Sequence, residues 1–300
     1  MLKSLRLIPF FALLTLGCNQ DYNSPNSTSD ASVKNPQELS EAFKSYWYAG
    51  EAELTSYKLS QARYGELREG TAMMVFVTEP FLPEVQVKAD KQKDSNISVL
   101  KLNATKTFNT GIYPYSIMTS IFYPVANNQS ALKVSTSVQE WCGHVYTQLN
   151  NRNSYEITSH SYFQGEADQN FTLDKSALEH DIWTQLRIDP TTLNLDTKRM
   201  IPSLEYLRLK HKDLKAYNVD LSQSQLQDTL VTVLKYPELN RTLKIHQDPK
   251  FPFEILSWFE TYPDGNTTLT TKAIKMKRLK SPYWNKNANK HEVLRDSLGL

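Results

Sequence analysis

From Glu51 onward, apolar and polar residues mostly alternate along the chain, in segments separated by short loops. Alternation with a period of two, in segments rich in Val, Ile, Thr and Tyr, predicts β-strands. Because the loops are short, we expect the strands to form an antiparallel meander. Strands are predicted within 53–65, 70–79, 96–108, 115–125, 132–150, 154–166, 204–221, 228–237, 241–247 and 253–262, with a first turn near 69–70 and a closing hairpin that turns at 263–266.

Two stretches, 38–47 and 174–190, break the alternation and carry apolar residues at helical spacing. Each predicts a short amphipathic helix. Asp174 or Ser176 is expected to cap the second helix, and Pro190 to end it. The apolar positions are Leu39, Ala42, Phe43, Tyr46 and Trp47 in the first stretch, and Leu178, Ile182, Trp183 and Leu186 in the second.

The predicted fold class is therefore mainly β. We expect a curved antiparallel sheet, as a spiral roll or half-barrel, with a short N-terminal helix and one mid-chain helix. Roughly 260 residues follow residue 37, a length that suits either one large β domain or two lobes.

The N-terminal segment, MLKSLRLIPFFALLTLGC, has the pattern of a secretory signal peptide. Lys3 and Arg6 precede an apolar run that ends at Leu16 and is too short to span a bilayer as a helix. The ending Leu-Thr-Leu-Gly-Cys resembles the lipobox of bacterial lipoproteins, which implies cleavage after Gly17 and acylation of Cys18. The alternative is an ordinary secretory signal followed by a chance cysteine.

Residues 19–37 are rich in Asn, Ser, Asp and Pro and poor in apolar side chains, as in a disordered tether. We therefore expect a signal peptide at 1–17, a lipidated Cys18 with its tether at 18–37, and a β-rich periplasmic domain at 38–300. Only Asp21 is acidic close behind Cys18. Surface-export signals of Bacteroidetes lipoproteins carry more acidic residues there, so by comparison with them we expect an anchor in the outer membrane that faces the periplasm.

The charge balance excludes one broad class of function. The chain has 34 basic and 32 acidic residues, and loss of Lys3 and Arg6 with the signal peptide leaves 32 of each. A neutral chain lacks the positive charge of a general nucleic-acid binder, so we expect no nucleic-acid partner. The one basic cluster, 272–280, is expected to be either a solvated strand face or a contact with anionic lipid headgroups.

The stretch EWCGHVYTQL, 140–149, is the main candidate for chemistry because it places Cys142 and His144 two residues apart. On one strand the two side chains share a face, so a nucleophilic thiol with its base is geometrically allowed. If Cys18 is acylated, Cys142 is the only free thiol, and we expect it to be a buried packing residue. A zinc site is a further alternative, although no companion ligand motif is present. Gly143 in mid-strand predicts a bulge or a close backbone approach.

Other catalytic or cofactor motifs are absent from the sequence. It contains no Gly-rich phosphate loop, no His-Glu-x-x-His arrangement and no Gly-x-Ser-x-Gly elbow. We therefore expect no cofactor and no metal, and we interpret the other histidines as structural or surface residues. They are His160, His180, His211, His246 and His291.

Three long runs resemble a set of uncharacterised lipoproteins of Bacteroidetes, mainly flavobacteria. The runs are 46–90 (YWYAGEAEL…), 140–150 (EWCGHVYTQLN) and 236–260 (YPELNRTLK…). Some members carry the label septum formation inhibitor Maf. Maf nucleotide pyrophosphatases have a Ser-x-Ser-Pro-Arg-Arg motif, and the nearest string here, LSQARYGEL at 59–67, lacks it. The order of elements also resembles periplasmic domains with a curved β-sheet, a likeness that transfers no site.

Two functions from different classes follow as expectations. The first is a lipid-anchored, non-enzymatic envelope protein that binds a hydrophobic ligand or an envelope protein on a curved sheet. The second is a hydrolase or thiol enzyme that uses Cys142 and His144.

Overall fold

The computed structural model describes residues 38–126 and 129–300; the expected signal peptide, Cys18 and the tether lie outside these residues. The described residues belong to one compact unit, and their buried apolar side chains form a hydrophobic core. The secondary structure is mainly β, as predicted.

The described part of the chain contains four α-helices and seventeen strands, many of the strands long. The helices are α1 (Glu41–Trp47), α2 (Glu179–Ile188), α3 (Leu204–Leu209) and α4 (Leu294–Ser297). The strands are β1 (Ala52–Arg63), β2 (Glu66–Leu82), β3 (Val87–Lys88), β4 (Ile97–Thr110), β5 (Tyr113–Pro124), β6 (Lys133–Glu140), β7 (Gly143–Asn151), β8 (Tyr155–Ser161), β9 (Gln169–Leu173), β10 (Ala177–Leu178), β11 (Arg199–Ile201), β12 (Tyr217–Asn218), β13 (Asp220–Leu226), β14 (Thr229–Tyr236), β15 (Arg241–Gln247), β16 (Ile255–Asp264) and β17 (Thr267–Ser281).

The main sheet has 14 strands, all antiparallel. Its first strand, β1, lies in the interior of the sheet, between β17 and β2. From β1 the strands follow one another to one edge at β9, except that β3 pairs only with the end of β2 and β4 is the next neighbour of β2. The next segment carries α2, α3 and a small sheet of β10, β11 and β12, and it crosses to the opposite edge at β13. The chain then returns through β14 to β17, which pairs with β1. Within the described chain, the edge strands β9 and β13 do not pair with each other.

The N-terminal helix and the closing hairpin are confirmed. Ser40 caps α1 by accepting a hydrogen bond from the Phe43 N–H at 3.1 Å, and Phe43 and Trp47 are buried. The closing hairpin turns between Asp264 and Thr267.

The mid-chain helix begins later than predicted. Neither Asp174 nor Ser176 caps α2, which starts at Glu179. The preceding Ala177 and Leu178 instead pair with β11, so the backbone there is extended. The predicted stop is confirmed, since α2 ends at Ile188 and Pro190 begins a 3-10 turn.

The predicted strand over 204–221 is wrong, and there are two mid-chain helices rather than one. Residues 204–209 form α3. Ser203 accepts a hydrogen bond from the Tyr206 N–H at 3.2 Å and thereby caps the helix. Strand structure resumes only at β12.

Two predicted strand boundaries are also wrong. The first hairpin turns at Tyr64 and Gly65, whose φ angles are +57° and +76°, and not near residues 69–70. Gly70 lies within β2, where a Cβ atom would come within 2.2 Å of the Thr107 carbonyl oxygen on β4. The predicted strand 132–150 is a hairpin of β6 and β7.

Helices α2 and α3 cover part of one face of the main sheet. α2 lies against β4 and β5, and α3 lies against β6. Buried side chains of both helices and of the strands join in a single core. We call the side of the sheet that carries Met74, Ala104 and Thr119 the covered face; these residues are paired directly across β2, β4 and β5 and therefore point to one side.

Candidate functional site

A cavity of about 60 Å³ lies between the covered face and helices α2 and α3. Met74, Ala104, Thr119, Ile121 and Leu243 form much of its floor. The small side chain of Ala104 stands between the larger ones of neighbouring strands, which leaves room above it. The floor is therefore mostly apolar.

Aromatic side chains form one wall of the cavity. Trp183 of α2 and Trp258 of β16 meet edge to face, with ring centroids 5.5 Å apart. Tyr57 also packs on Trp258, with ring centroids 4.8 Å apart. Leu178, Ile182 and Leu186 are buried as predicted, whereas Trp183 is only half-buried and lines the cavity.

A buried charge cluster closes one end of the cavity. The guanidinium of Arg241 donates to both carboxylate oxygens of Glu179, at 2.5 and 2.7 Å, and to Glu260 at 2.6 Å. Burial opposes ionisation of Glu179, but the attraction and hydrogen bonds of Arg241 outweigh it and lower the pKa of that carboxyl. The cluster therefore remains charged, with two carboxylates against one guanidinium.

His180 of α2 also lines the cavity and is only 3% exposed. Its Nε2 accepts a hydrogen bond from the Leu204 N–H at 3.2 Å, so in the neutral ring the proton is on Nδ1. Burial lowers the pKa of His180 to about 4, which keeps the ring neutral at pH 7. Nδ1 has no hydrogen-bond partner among the described residues. An unpaired buried donor is costly, so Nδ1 of His180 lowers the stability of the fold.

An ion pair connects the sheet to α3 across the cavity. Lys106 of β4 and Glu205 of α3 both line it and are 2.7 Å apart. Ala104, although it lies on the covered face, is only half-buried. The cavity thus extends toward solvent, and α3 cannot leave the sheet without breaking this pair.

The prediction that Cys142 is buried is wrong. Trp141 and Cys142 form a two-residue turn between β6 and β7, and both are exposed. A hydrogen bond with Glu140 raises the pKa of the Cys142 thiol, whereas an activated thiol has a lowered pKa. His144 is exposed on β7, and neither candidate lines the cavity.

The close approach predicted at Gly143 is confirmed, although the residue begins β7 rather than lying in mid-strand. A Cβ atom there would be 2.2 Å from the ring of Tyr162. A larger residue would displace that ring.

The basic stretch 272–280 lies on β17 and is partly neutralised. Lys275 forms an ion pair with Glu254 at 2.7 Å, and Arg278 approaches the same carboxylate at 3.4 Å. Lys277 is exposed.

The charged residues of the cavity are not among those predicted from sequence, where His180 stands only as a lone histidine. The sequence contains one indication that Arg241 points inward. In β15, Arg241 is in phase with Leu243 and Ile245, which are buried, so strict alternation places Arg241 on the same inward side.

Comparisons with known proteins assign no family. A scan of the chain against protein-family models and a search of the curated proteins give no match. Among residues 38–126 and 129–300, no group of three His, Cys, Asp or Glu side chains could hold a metal ion. No helix in this part of the chain is long and apolar enough to cross a membrane.

Proposed function

We propose that the chain is a lipid-anchored cell-envelope protein that binds a hydrophobic ligand on the covered face of its sheet, without catalysis. The observation that supports this is the cavity beneath α2 and α3. An apolar floor with a few convergent polar groups is the usual composition of a small-molecule site. Here Arg241, Glu179 and His180 are the polar groups.

We further propose that the main sheet is curved, as a half-barrel around α2 and α3. Strands twist, and open sheets of more than about ten strands rarely stay flat. A sheet of 14 strands that carries α2 and α3 on one face fits this expectation. Curvature would make the covered face concave and so suited to enclose a ligand.

Ligand binding is tested with the uncharged fluorescent dye N-phenyl-1-naphthylamine and a fragment of residues 34–300, the compact unit. We expect saturable binding with increased fluorescence. Ala104→Leu should weaken it at least tenfold, because the added side chain fills the cavity floor. Thr107→Leu is the matched control, since Thr107 is exposed on the same strand, on the opposite face.

Melting curves of both variants establish that they are folded. Equal dye binding by wild type, Ala104→Leu and Thr107→Leu would contradict the cavity as the site. Absence of dye binding would mean that the cavity holds only water, and the proposed function would fail.

The membrane anchor is a separate part of the proposal and rests on the Leu-Thr-Leu-Gly-Cys sequence. Several acyl chains on Cys18 would hold the protein at the outer membrane, facing the periplasm. In cells, Cys18→Ser is expected to abolish labelling by palmitate and to move the protein from the membrane fraction to the soluble fraction. A variant that still labels and still sediments with membranes would show that Cys18 is not the acylated residue.

A further inference from the structure

A second hollow, of about 450 Å³, lies over strands β7 to β9, next to α3 and the loop 211–214 that follows it. We call it the polar hollow. Its volume is within the range of small-molecule sites, roughly 300–1,000 Å³. Gln164, Gln169 and His211 line it and are exposed to solvent, so the hollow is open as it stands. A ligand can therefore enter without any movement of α3.

The walls of the polar hollow carry formal charges that balance. Glu166 and Asp213 contribute two carboxylates, and Arg208 and Lys212 contribute two cationic groups. Amide and imidazole groups complete the walls, from Gln164, Gln169 and His211. Neither an anion nor a cation gains net attraction from such walls. A ligand with many hydroxyl groups, by contrast, finds both donors and acceptors there.

Some of these polar groups hold one another in place. One oxygen of Glu166 accepts hydrogen bonds from Arg208 Nη1 at 3.1 Å and from His211 Nδ1 at 2.8 Å, and the other accepts from the Ser161 hydroxyl at 2.7 Å. The Arg208 guanidinium also stacks on the ring of Phe163, 4.2 Å from its centroid. Glu166 is half-buried and His211 is exposed, so both remain accessible from the hollow. Groups that are fixed before a ligand arrives lose little conformational entropy when it binds.

His211 occupies a backbone position that favours glycine. It directly follows Lys210, the C-cap of α3, and its φ angle is +49°. Glycine and asparagine are the usual residues at this left-handed position. A histidine there is strained, and strained residues are concentrated at functional sites.

Two exposed aromatic rings stand beside the polar hollow. The Tyr162 ring lies against the backbone of Gly143, where a Cβ atom would be 2.2 Å from it, and Tyr162 is still 48% exposed. The ring centroids of Tyr162 and Phe163 are 4.1 Å apart, and Phe163 lines the hollow. Trp141 is also exposed, and the next residue, Cys142, hydrogen-bonds with Tyr162. Adjacent exposed rings beside polar walls are typical of a binding site.

This combination of walls and rings selects the class of ligand. A sugar has C–H groups on the faces of its ring, hydroxyl groups around the rim and no charge. Its face can pack on Tyr162 while its hydroxyls hydrogen-bond with Glu166 and His211. An acyl chain would cover the charged walls without forming hydrogen bonds. A free amino acid would occupy only the hollow and leave both rings exposed.

We propose that the polar hollow binds one sugar of an uncharged oligosaccharide through Glu166 and His211, and that the next sugars pack on Tyr162 and Trp141. Arg208 is a positioning residue in this site, because its hydrogen bond orients Glu166. The site is separate from the first cavity, since none of the described residues lines both. The two sites can therefore be tested independently.

Binding is tested by isothermal titration calorimetry of the fragment 34–300 with maltotriose, cellotriose and tri-N-acetylchitotriose. At least one trisaccharide should bind saturably, and about tenfold more tightly than its monosaccharide, because the further sugars gain ring contacts. Tyr162→Ser should remove most of this difference between the trisaccharide and the monosaccharide. Tyr48→Ser is the matched control, because Tyr48 is 44% exposed and does not line the hollow.

His211→Gly separates a role in binding from a role in folding. It should weaken binding of the trisaccharide by about fivefold, because a hydrogen-bonding group is lost from the hollow. The melting temperature should change little, since glycine relieves the backbone strain while the hydrogen bond to Glu166 is lost.

Three results would overturn the proposal. The first is the absence of saturable binding by any of the three trisaccharides. The second is binding that neither Tyr162→Ser nor His211→Gly weakens. The third is tighter binding of trigalacturonate, which has a carboxylate on each sugar, because the ligand would then be an anion. None of these results bears on the dye-binding test of the first cavity, so the proposed function stands or fails separately.

Discussion

Replacing Asp181 with asparagine is expected to stabilise the protein, and to do so more as the pH rises. Asp181 of α2 is 5% exposed, and burial raises the pKa of its carboxyl from 3.8 to about 7. The Ala131 N–H donates to Oδ1 at 2.9 Å, and the Ser130 side chain and the Leu178 backbone also hydrogen-bond to the carboxyl, but these bonds do not offset the effect of burial. Asparagine keeps an acceptor oxygen for the Ala131 N–H and has no charge to bury, a gain that above pH 7 exceeds the cost of losing the second acceptor oxygen.

The sign of the pH dependence follows from linkage. Between about pH 4 and pH 7 the folded state holds a proton on Asp181 that the unfolded chain has lost, so the wild type loses stability as the pH rises through this range. The shift of 3.8 to about 7 corresponds to about 4 kcal/mol above pH 7. The asparagine variant escapes this penalty because its side chain does not ionise.

Urea unfolding of wild type and Asp181→Asn at pH 5 and pH 8 measures the effect. The advantage of the variant should be larger at pH 8 by about 2–3 kcal/mol, with unchanged m-values. Asp196→Asn, at an exposed residue, should show no such difference. Suppose instead that the gain in unfolding free energy of Asp181→Asn over wild type is equal at the two pH values, or is smaller at pH 8. Asp181 would then ionise in the folded protein without loss of stability.

Much of the fold follows from the alternation of residue types, because antiparallel strands with one covered face carry that pattern directly. The failures have physical causes. Residues 204–209, LEYLRL, satisfy a period of two and a helical period equally well over so short a stretch. The Ser203 cap decides for the helix, and the packing of α3 on the sheet holds it there.

The candidate site was harder to predict because it depends on register. Ala104, Thr119 and Thr136 are distant in sequence and become neighbours only through strand pairing. A single Ala or Thr in a strand carries no sign of the hollow above it. Cys142 and His144 are close in sequence and therefore conspicuous, but a two-residue turn places the thiol in solvent.

The second large effect is expected from Arg187→Met, which should destabilise the fold by about 3–5 kcal/mol. The Arg187 guanidinium donates to both oxygens of Glu53 at 2.6 and 2.8 Å, and both side chains are at most 1% exposed. Burial opposes ionisation of Glu53, but the attraction of Arg187 outweighs it and lowers the pKa of that carboxyl. Without the guanidinium, the buried carboxylate retains only the weaker attraction of Arg278 and the hydrogen bond from Tyr46. The methionine retains apolar contact with Trp47 and Phe76, on which Arg187 stacks.

The exposed pair Lys58–Glu69 provides the control. Its atoms are 3.7 Å apart, and the two side chains are 73% and 72% exposed, so Lys58→Met should cost less than about 1 kcal/mol. The double variant Glu53→Leu with Arg187→Met should recover part of the loss, because it leaves no unpaired charge in the core. Urea unfolding at pH 7 measures all of these variants. If Arg187→Met costs no more than Lys58→Met, the buried Glu53–Arg187 pair contributes no more to stability than an exposed pair does.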